Sequence, residues 1–154
     1  MKSNLEHPRS KLRKAVVAHL KQSITSAKQN VFDSRSKPLF EQHFPALLVY
    51  TREERIAENQ YDGDGYFPSK RELELSIEGI VASCSDLDDK IDLLALEIEQ
   101  SLLHFEVPDF LNSTIKLKST EADVVIEGAK CFGAVRLNYL LTYYTPTLKN
   151  EENQ

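Results

Sequence analysis

Cysteine is scarce in this sequence, and the two cysteines are far apart. Cys84 and Cys131 are the only cysteines among 154 residues, and no ligand spacing around them matches a metal site. Two cysteines at this separation also indicate no disulfide framework. Both lie in apolar, strand-like surroundings, so we expect two small buried hydrophobic side chains and a reducing cytoplasm.

Long apolar runs are missing as well. No run approaches the roughly 20 apolar residues that a membrane helix needs, and the residues after Met1 lack the apolar segment of a secretory signal. These absences predict a protein that is neither secreted nor inserted in a membrane. A hydrophobic content of 41% and a charged content of 28% are typical of a soluble, single-domain globular protein.

The motifs of catalysis and cofactor binding are also lacking. The sequence has no Gly-rich phosphate loop and no G-x-S-x-G nucleophile motif, and its histidines show no ligand spacing. The run Asp62-Gly63-Asp64-Gly65 looks like the start of a calcium loop, but Leu73 stands where that loop requires a glutamate. We therefore expect neither an enzyme nor a bound cofactor or metal.

The charge is acidic overall but unevenly distributed. The net charge is −5, whereas residues 1–28 carry seven basic residues and one acidic residue, which leaves about −11 on the rest. An acidic chain is a poor nucleic-acid binder because phosphate contacts need a basic surface. The basic segment could still dock an acidic partner. Lys14, Lys21 and Lys28 lie seven apart, and a solvated helix face is the favoured interpretation.

Two segments have the periodicity of amphipathic helices. Residues 10–28 repeat apolar side chains at i+4 (Leu12, Val16, Leu20, Ile24), with Ser10 as the predicted N-cap. The second helix is predicted to begin at an N-cap at Ser85. Its core stripe consists of Leu87, Ile91, Leu94, Ile98, Leu102 and Phe105. A second apolar row, Leu93, Leu96 and Leu103, makes this helix more apolar than one core contact needs.

Four segments are predicted to be strands. Residues 44–50 are apolar without alternation, so both faces of this strand should be covered. Residues 71–82 alternate apolar with mostly acidic side chains, which indicates a half-exposed strand. Residues 114–126 and 131–144 read as a hairpin, with Val135, Leu137, Tyr139, Leu141 and Tyr143 on one face. Residues 51–70 are polar and contain Gly63, Gly65 and Pro68, which predicts a long, mobile loop.

The order of elements, α-β-β-α-β-β, predicts an α+β domain. We expect a mainly antiparallel or mixed sheet of about four strands, with two helices packed on one face. Residues 1–9 are expected to form a flexible basic leader, residues 10–146 a single domain, and residues 147–154 a disordered tail.

Asp33 and Arg35 form a polar pair before the buried strand. The pair could hold a turn or form an ion pair, because Asp caps turns and Arg grips carboxylates. A contact between subunits is the next interpretation. Catalysis ranks below both, because no base, nucleophile or metal ligand lies within sequence reach.

Four pieces of sequence that occur in order along the chain carry a family resemblance. Together they span roughly residues 9–146 and resemble the tail terminator family of long-tailed phages, the lambda-type minor tail protein U. The pieces are Leu12-Arg13-x-Ala15-Val16-x-x-x-Leu20, then Phe32-Asp33-x-Arg35, then Phe44-Pro45-Ala46 leading to Val49-Tyr50, and last Leu137-x-Tyr139-x-x-Thr142-Tyr143.

This resemblance implies a non-enzymatic virion protein that forms a hexameric ring on the end of a completed tail tube. The ring would stop polymerisation of the tube and present the surface that joins the head. The implied partners are other copies of the chain, the tail tube protein and a head-completion protein, with no membrane and with DNA only as passing cargo. The implied location is the virion tail, after assembly in the host cytoplasm. The alternative is a small cytosolic α+β domain that binds a ligand or protein.

Two sets of residues are candidates for this assembly role. The candidate subunit or tube interface consists of Asp33, Arg35, Leu93, Leu96 and Leu103. The candidate channel loop carries acids that would repel DNA and let it slide. These acids are Glu53, Glu54, Glu58, Asp62 and Asp64.

Overall fold

A computed structural model describes residues 5–36, 41–59, 69–110, 112–127 and 129–145. In this part of the chain two helices and one sheet account for the regular structure, apart from a short 3₁₀ turn at Glu41–His43. The elements are α1 Pro8–Gln22, β1 Val31–Phe32, β2 Ala46–Asn59, β3 Ser69–Ala82, α2 Leu87–Leu102, β4 Thr114–Glu127 and β5 Lys130–Tyr144. The predicted α+β class is confirmed.

The sheet is mixed and has five strands in the order β1-β2-β3-β5-β4. β1 pairs with β2 in parallel, and the other neighbours are antiparallel. The predicted count of about four strands missed β1, because a two-residue strand shows no periodicity. Residues 114–126 and 131–144 do form the predicted hairpin.

The limits of α1 differ from the sequence prediction at both ends. Ser10 is not the N-cap: His7 is, and its Nδ1 accepts a hydrogen bond from the backbone N–H of Arg9 at 3.1 Å. Pro8 occupies the first helical turn, where its missing N–H costs nothing. The helix ends at Gln22, so Ile24 leaves the apolar stripe and is 85% exposed.

The two helices cover the same face of the sheet. α1 packs over β1 and β2, and α2 packs over β3 and β5. The rest of the predicted stripes is buried at Leu12, Val16 and Leu20 on α1 and at Ile91, Leu94, Ile98 and Leu102 on α2. Leu87 is half-buried, and Phe105, predicted to continue the stripe, lies beyond the end of α2 and is also half-buried. Residues 46–50 are buried throughout, as the lack of alternation predicted. The N-cap of α2 is Asp86 rather than Ser85.

The predicted loop at residues 51–70 is wrong for its described parts. β2 continues to Asn59 and β3 begins at Ser69, so the two strands form a long antiparallel ladder. Polar side chains misled the prediction, because the backbone pairing of β2 with β3 continues through residues whose side chains show no apolar alternation. Residues 60–68, with the predicted acids Asp62 and Asp64, lie outside the described residues.

The prediction for the cysteines is also wrong. Cys84 is exposed and Cys131 is half-buried, and the two form a disulfide with their Cα atoms 5.0 Å apart. The β3–β5 ladder brings them together, since its last pair, Ala82 with Phe132, lies next to both cysteines. Disulfides persist in oxidising surroundings, so the cysteines give no support to a reducing compartment.

α2 approaches the sheet closely at Gly79 of β3. A Cβ added at this position would lie 2.6 Å from Cδ2 of Leu94 and 3.3 Å from Cγ1 of Val135. Leu94 is buried, so its side chain has little room to move away. Glycine at this position therefore sets the distance between α2 and the sheet.

We expect Gly79→Ala to lower the free energy of unfolding by about 1–3 kcal/mol, because the added methyl overpacks the interface with α2. Urea denaturation measures this change. In a Leu94→Ala background the methyl enters vacated space, so the same substitution should cost much less. An equal cost in both backgrounds would contradict the packing explanation.

Candidate functional site

A bulge in β2 decides which of its side chains face the helices. Thr51 pairs with Leu75, but Glu54 pairs with Leu73, so β2 holds one extra residue between these two pairs. A bulge of this kind reverses the alternation of the residues beyond it. Glu54 consequently lies on the helix side of the sheet with the buried Leu73, and Glu53 does not.

Glu54 is the centre of a buried polar cluster that joins three strands. Its side chain is 8% exposed and accepts a bond from Arg71 Nη1 at 3.1 Å. The hydroxyl of Tyr143 on β5 donates to the other oxygen of Glu54. Arg71 Nε also donates to Ser69 Oγ at 2.8 Å. The cluster therefore clamps β2, β3 and β5 together where the sheet extends past the main core.

This clamp corrects the proposed role of Glu54 in a channel. An exposed acid can repel passing DNA, whereas the Glu54 carboxylate is buried and paired with a cation. Glu53 is exposed and forms an ion pair with Arg55 at 3.2 Å. Glu58 lies in β2. Among the predicted channel acids whose side chains the structure describes, Glu53 lies at the surface and Glu54 does not.

A row of polar contacts crosses the sheet on the face away from the helices. Tyr50 on β2 donates to Glu78 on β3 at 3.1 Å, and Arg136 on β5 contacts Glu78 at 3.6 Å and Glu121 on β4 at 3.4 Å. Burial, followed by the charge of Glu78, raises the pKa of Tyr50. The row ties four strands together, so the polar face predicted from β3 is an organised network.

Beside this row lies an open groove of about 400 Å³. It is lined by charges of both signs, among them Arg52, Arg55, Lys118, Glu72 and Glu74. Such a lining does not suit a small apolar ligand, which is usually held by an apolar pocket.

Arg35 is held within its own chain, and Asp33 is not its partner. Arg35 Nη2 donates to the carbonyl oxygen of Thr51 at 3.1 Å, and its guanidinium lies 4.6 Å from the centre of the Tyr50 ring. Within the described residues no ion pair joins Arg35 to Asp33, which is exposed. The ion-pair interpretation is therefore wrong, and Arg35 fastens the segment after β1 to β2.

An apolar patch lies on the outer side of the helix layer. The exposed fractions are 51% for Leu93, 49% for Leu96, 71% for Leu103 and 85% for Ile24. The turn that carries Ile24 is hydrogen-bonded to α2 on both sides of this residue. Ser23 Oγ lies 2.6 Å from Ser101 Oγ, and the N–H of Ser26 donates to Glu97 at 2.7 Å. We call Ile24, Leu93, Leu96 and Leu103 the helix patch.

Ile24 has an unusual backbone conformation as well as an exposed side chain. Its φ is +53°, in the left-handed region that β-branched residues rarely adopt. This conformation lies in the turn between α1 and β1, which the bonds of Ser23 and Ser26 hold against α2. Backbone strain of this kind costs about 1–3 kcal/mol and persists only where the surrounding structure holds it.

Within the described ranges no group of three or more His, Cys, Asp or Glu side chains could hold a metal ion. No helix among these residues is long and apolar enough to cross a membrane.

Sequence reasoning found the α2 row but missed the clamp and the place of Ile24. The signal for the clamp was a charged residue, Arg71, in phase with the apolar side chains of β3. An in-phase charge needs a buried partner. The sequence alone could not identify the partner, Glu54, because the bulge in β2 reverses the alternation of side chains from this residue onward.

Comparison with solved structures identifies a relative of the fold. The chain is similar to a chain of the "virion of native gene transfer agent (GTA) particle", with a TM-score of 0.58 and 11% identity over 91% of this chain and 100% of that chain. The core region of PilO from the type IV pilus system of Pseudomonas aeruginosa covers 66% of this chain at 13% identity, but its TM-score of 0.25 is too low to indicate a shared fold. This match spans 81% of the PilO chain. No curated protein sequence matches.

The family comparison is decisive. A family model described as phage minor tail protein U matches residues 7–143. The chain therefore belongs to the phage minor tail protein U family, a family of structural proteins of phage tails. The resemblance seen in the sequence is confirmed.

We expect Arg71→Met to lower the free energy of unfolding by about 3 kcal/mol, because it leaves the Glu54 carboxylate buried without a cation. Urea denaturation is the measurement. The control is Glu54→Leu/Arg71→Met, which removes both charges and should regain most of the loss. A double variant as unstable as Arg71→Met would show that packing of the arginine, rather than charge, holds the clamp.

Stability should fall at alkaline pH because of Tyr143. Burial, followed by the bond to Glu54, raises the pKa of Tyr143 above that of an unfolded tyrosine, about 10. The stabilisation is complete below about pH 10 and is lost as the pH rises towards the folded pKa, because only the unfolded chain releases its proton there.

Urea midpoints between about pH 9 and about pH 11 test this alkaline loss. Tyr143→Phe should show a smaller decline than the wild type, although not none, because burial also raises the pKa of Tyr139. Tyr144→Phe, at the neighbouring exposed tyrosine, is the matched control. Equal declines in wild type and Tyr143→Phe would rule out this source.

Proposed function

We propose that this chain is a tail terminator, which forms a closed ring on the end of a completed tail tube. The ring stops polymerisation of the tube and presents the surface that joins the head. The role is structural and non-enzymatic, in the virion tail after assembly in the host cytoplasm. Membership of the minor tail protein U family supports the tail, and the helix patch supports contact with another tail protein.

The helix patch is the observation that carries the proposal. Its four side chains are about half exposed or more, although each is apolar. Leu93, Leu96 and Leu103 lie along the exposed side of α2, and the Ser23–Ser101 and Ser26–Glu97 bonds hold the turn that carries Ile24 against the same helix. Exposed apolar patches mark contact sites. Burying a large apolar side chain contributes about 1.5–3 kcal/mol, so a few such contacts repeated around a ring would hold a tube end firmly.

The two edges of the sheet offer a contact that can build a ring. One edge is β4, with 14 residues, and the other consists of β1, with two residues, beside β2. A contact between these two different edges joins subunits head to tail, whereas β4 against β4 would give a twofold dimer. A head-to-tail contact that closes gives a ring, and the hexamer is the form that the family resemblance implies.

The remaining candidate residues have lesser places in this proposal. Asp33 and Arg35 lie at the β1 edge, so they are proposed to contact a neighbouring subunit there. Glu53 is exposed and, with Glu58, Asp62 and Asp64, is proposed to face the channel. The proposed partners are the tail tube protein and a head-completion protein, with DNA as cargo.

We expect Leu96→Asp/Leu103→Asp to abolish capping while leaving the fold intact, because charges in the helix patch would be buried against the tube. The measurement is electron microscopy of tail tubes polymerised with each variant, together with thermal melting of the free protein. Leu5→Asp, at a residue that is 91% exposed and precedes the family match, is the control. Normal tube lengths with the double aspartate variant would remove the patch from the proposal.

A further inference from the structure

The two helices leave part of the sheet uncovered. A helix with its side chains is about 10 Å wide and strands are about 4.8 Å apart, so one helix covers two strands. α1 covers β1 and β2, and α2 covers β3 and β5, which leaves the helix-side face of β4 open along most of its length.

The uncovered face of β4 is apolar. Val124 pairs with Gly133, whose missing Cβ faces Ile91 and Leu87 of α2, so Val124 lies on the helix side of the sheet. Leu117 pairs with the buried Tyr139 on the same side. The exposed fractions are 38% for Leu117, 43% for Val124 and 70% for Ile126.

The flank of α2 above this face is acidic. Glu97 and Ser101 point towards α1, since they bond Ser26 and Ser23. At 3.6 residues per turn, Asp88, Asp92 and Glu99 lie about 180–220° round the helix from Glu97, on the side of β4. All three are exposed. We call this acidic flank together with the open face of β4 the socket.

The far flank of α1, the side that faces away from α2, is basic. His19 contacts Ser101 and the ring of Phe105, so it marks the side of α1 that faces the second helix. Lys14 and Lys21 lie about 200–220° round the helix from His19. Lys14 holds an exposed ion pair with Glu6 at 2.8 Å, and such pairs stabilise little and are readily exchanged.

We propose that the far flank of α1 from a second copy of this chain fills the socket, so that the helix layer continues from subunit to subunit. Lys14 and Lys21 are seven residues apart, as are Asp92 and Glu99, so both pairs span about 10.5 Å. In an antiparallel crossing Lys14 meets Glu99 and Lys21 meets Asp92. The apolar stems of the lysines cover Leu117 and Val124.

This contact rests on the proposed ring and specifies how the ring is built. The donor flank and the socket are different surfaces of one subunit, so each copy uses one of each. Charge complementarity selects the second copy as occupant: residues 5–30 carry six basic residues against Glu6, whereas residues 85–110 carry eight acidic residues against Lys90.

Charge reversal on each flank tests the contact. One variant is Lys14→Glu/Lys21→Glu and the other is Asp92→Lys/Glu99→Lys, both at the helix surface. Each alone should raise the protein concentration needed for ring formation about tenfold or more, because like charges then meet at every contact. Native mass spectrometry and sedimentation across a concentration series give the oligomer sizes, and thermal melting checks the fold.

Mixing the two variants is the decisive step. A reversed α1 flank then meets a reversed socket, so the equimolar mixture should form rings that contain both chains in equal numbers. Glu72→Lys/Glu74→Lys makes the same change of charge on the other face of the sheet and should assemble like the wild type.

The outcomes separate this contact from the ring itself. Wild-type rings with unchanged assembly of both reversed variants would overturn the contact and leave the ring standing. Failure of the mixture, with wild-type rings present, would also overturn it. A wild type that stays monomeric at every concentration and leaves tubes uncapped would overturn the proposed function, and the contact with it.

Discussion

The uninterrupted pairing of β3 with β5 is the constraint on which the other parts of the structure depend. It runs without a shift from Lys70–Tyr144 to Ala82–Phe132, whereas β2 and β4 on either side each contain a bulge. The central ladder fixes which side chains face α2. The flanking strands take up the irregularity, with two register shifts in β2 and one in β4, so the irregularities fall outside the central ladder.

The bulges give the two margins different surfaces. In β2 the extra residue brings Glu54 under the helices, where Arg71 must neutralise it. In β4 the shift between Leu117 and Ser119 brings Val124 to the helix side beside Gly133. A regular strand in either place would have exchanged polar and apolar faces. A bulge thus produces the buried polar clamp on one side of the sheet and the exposed apolar face of β4 on the other.

The sequence predicted most of what periodicity controls. Both helices, the hairpin of β4 and β5, the covered strand after Phe44 and the excess apolar row on α2 follow from spacing alone, because burial on one face imposes a repeat. Features that depend on contacts between distant residues could not be predicted in this way. The Cys84–Cys131 bond, the partner of Arg71 and the neighbours of Ile24 are set by register, which a single sequence does not reveal.

The disulfide constrains one part of the chain and leaves the other part unconstrained. It closes a loop between Cys84 and Cys131, 47 positions apart in sequence, and this loop contains all of α2 and β4 but none of α1. Closing a loop of this length removes about 4 kcal/mol of unfolded-state entropy in the chain-entropy model. Under the proposed contact, the half of each subunit that provides the socket is therefore covalently closed, whereas the half that provides α1 is not. Oxidation would stabilise the socket half against unfolding without changing α1, so a contact made by reduced subunits would keep its geometry and resist unfolding more strongly.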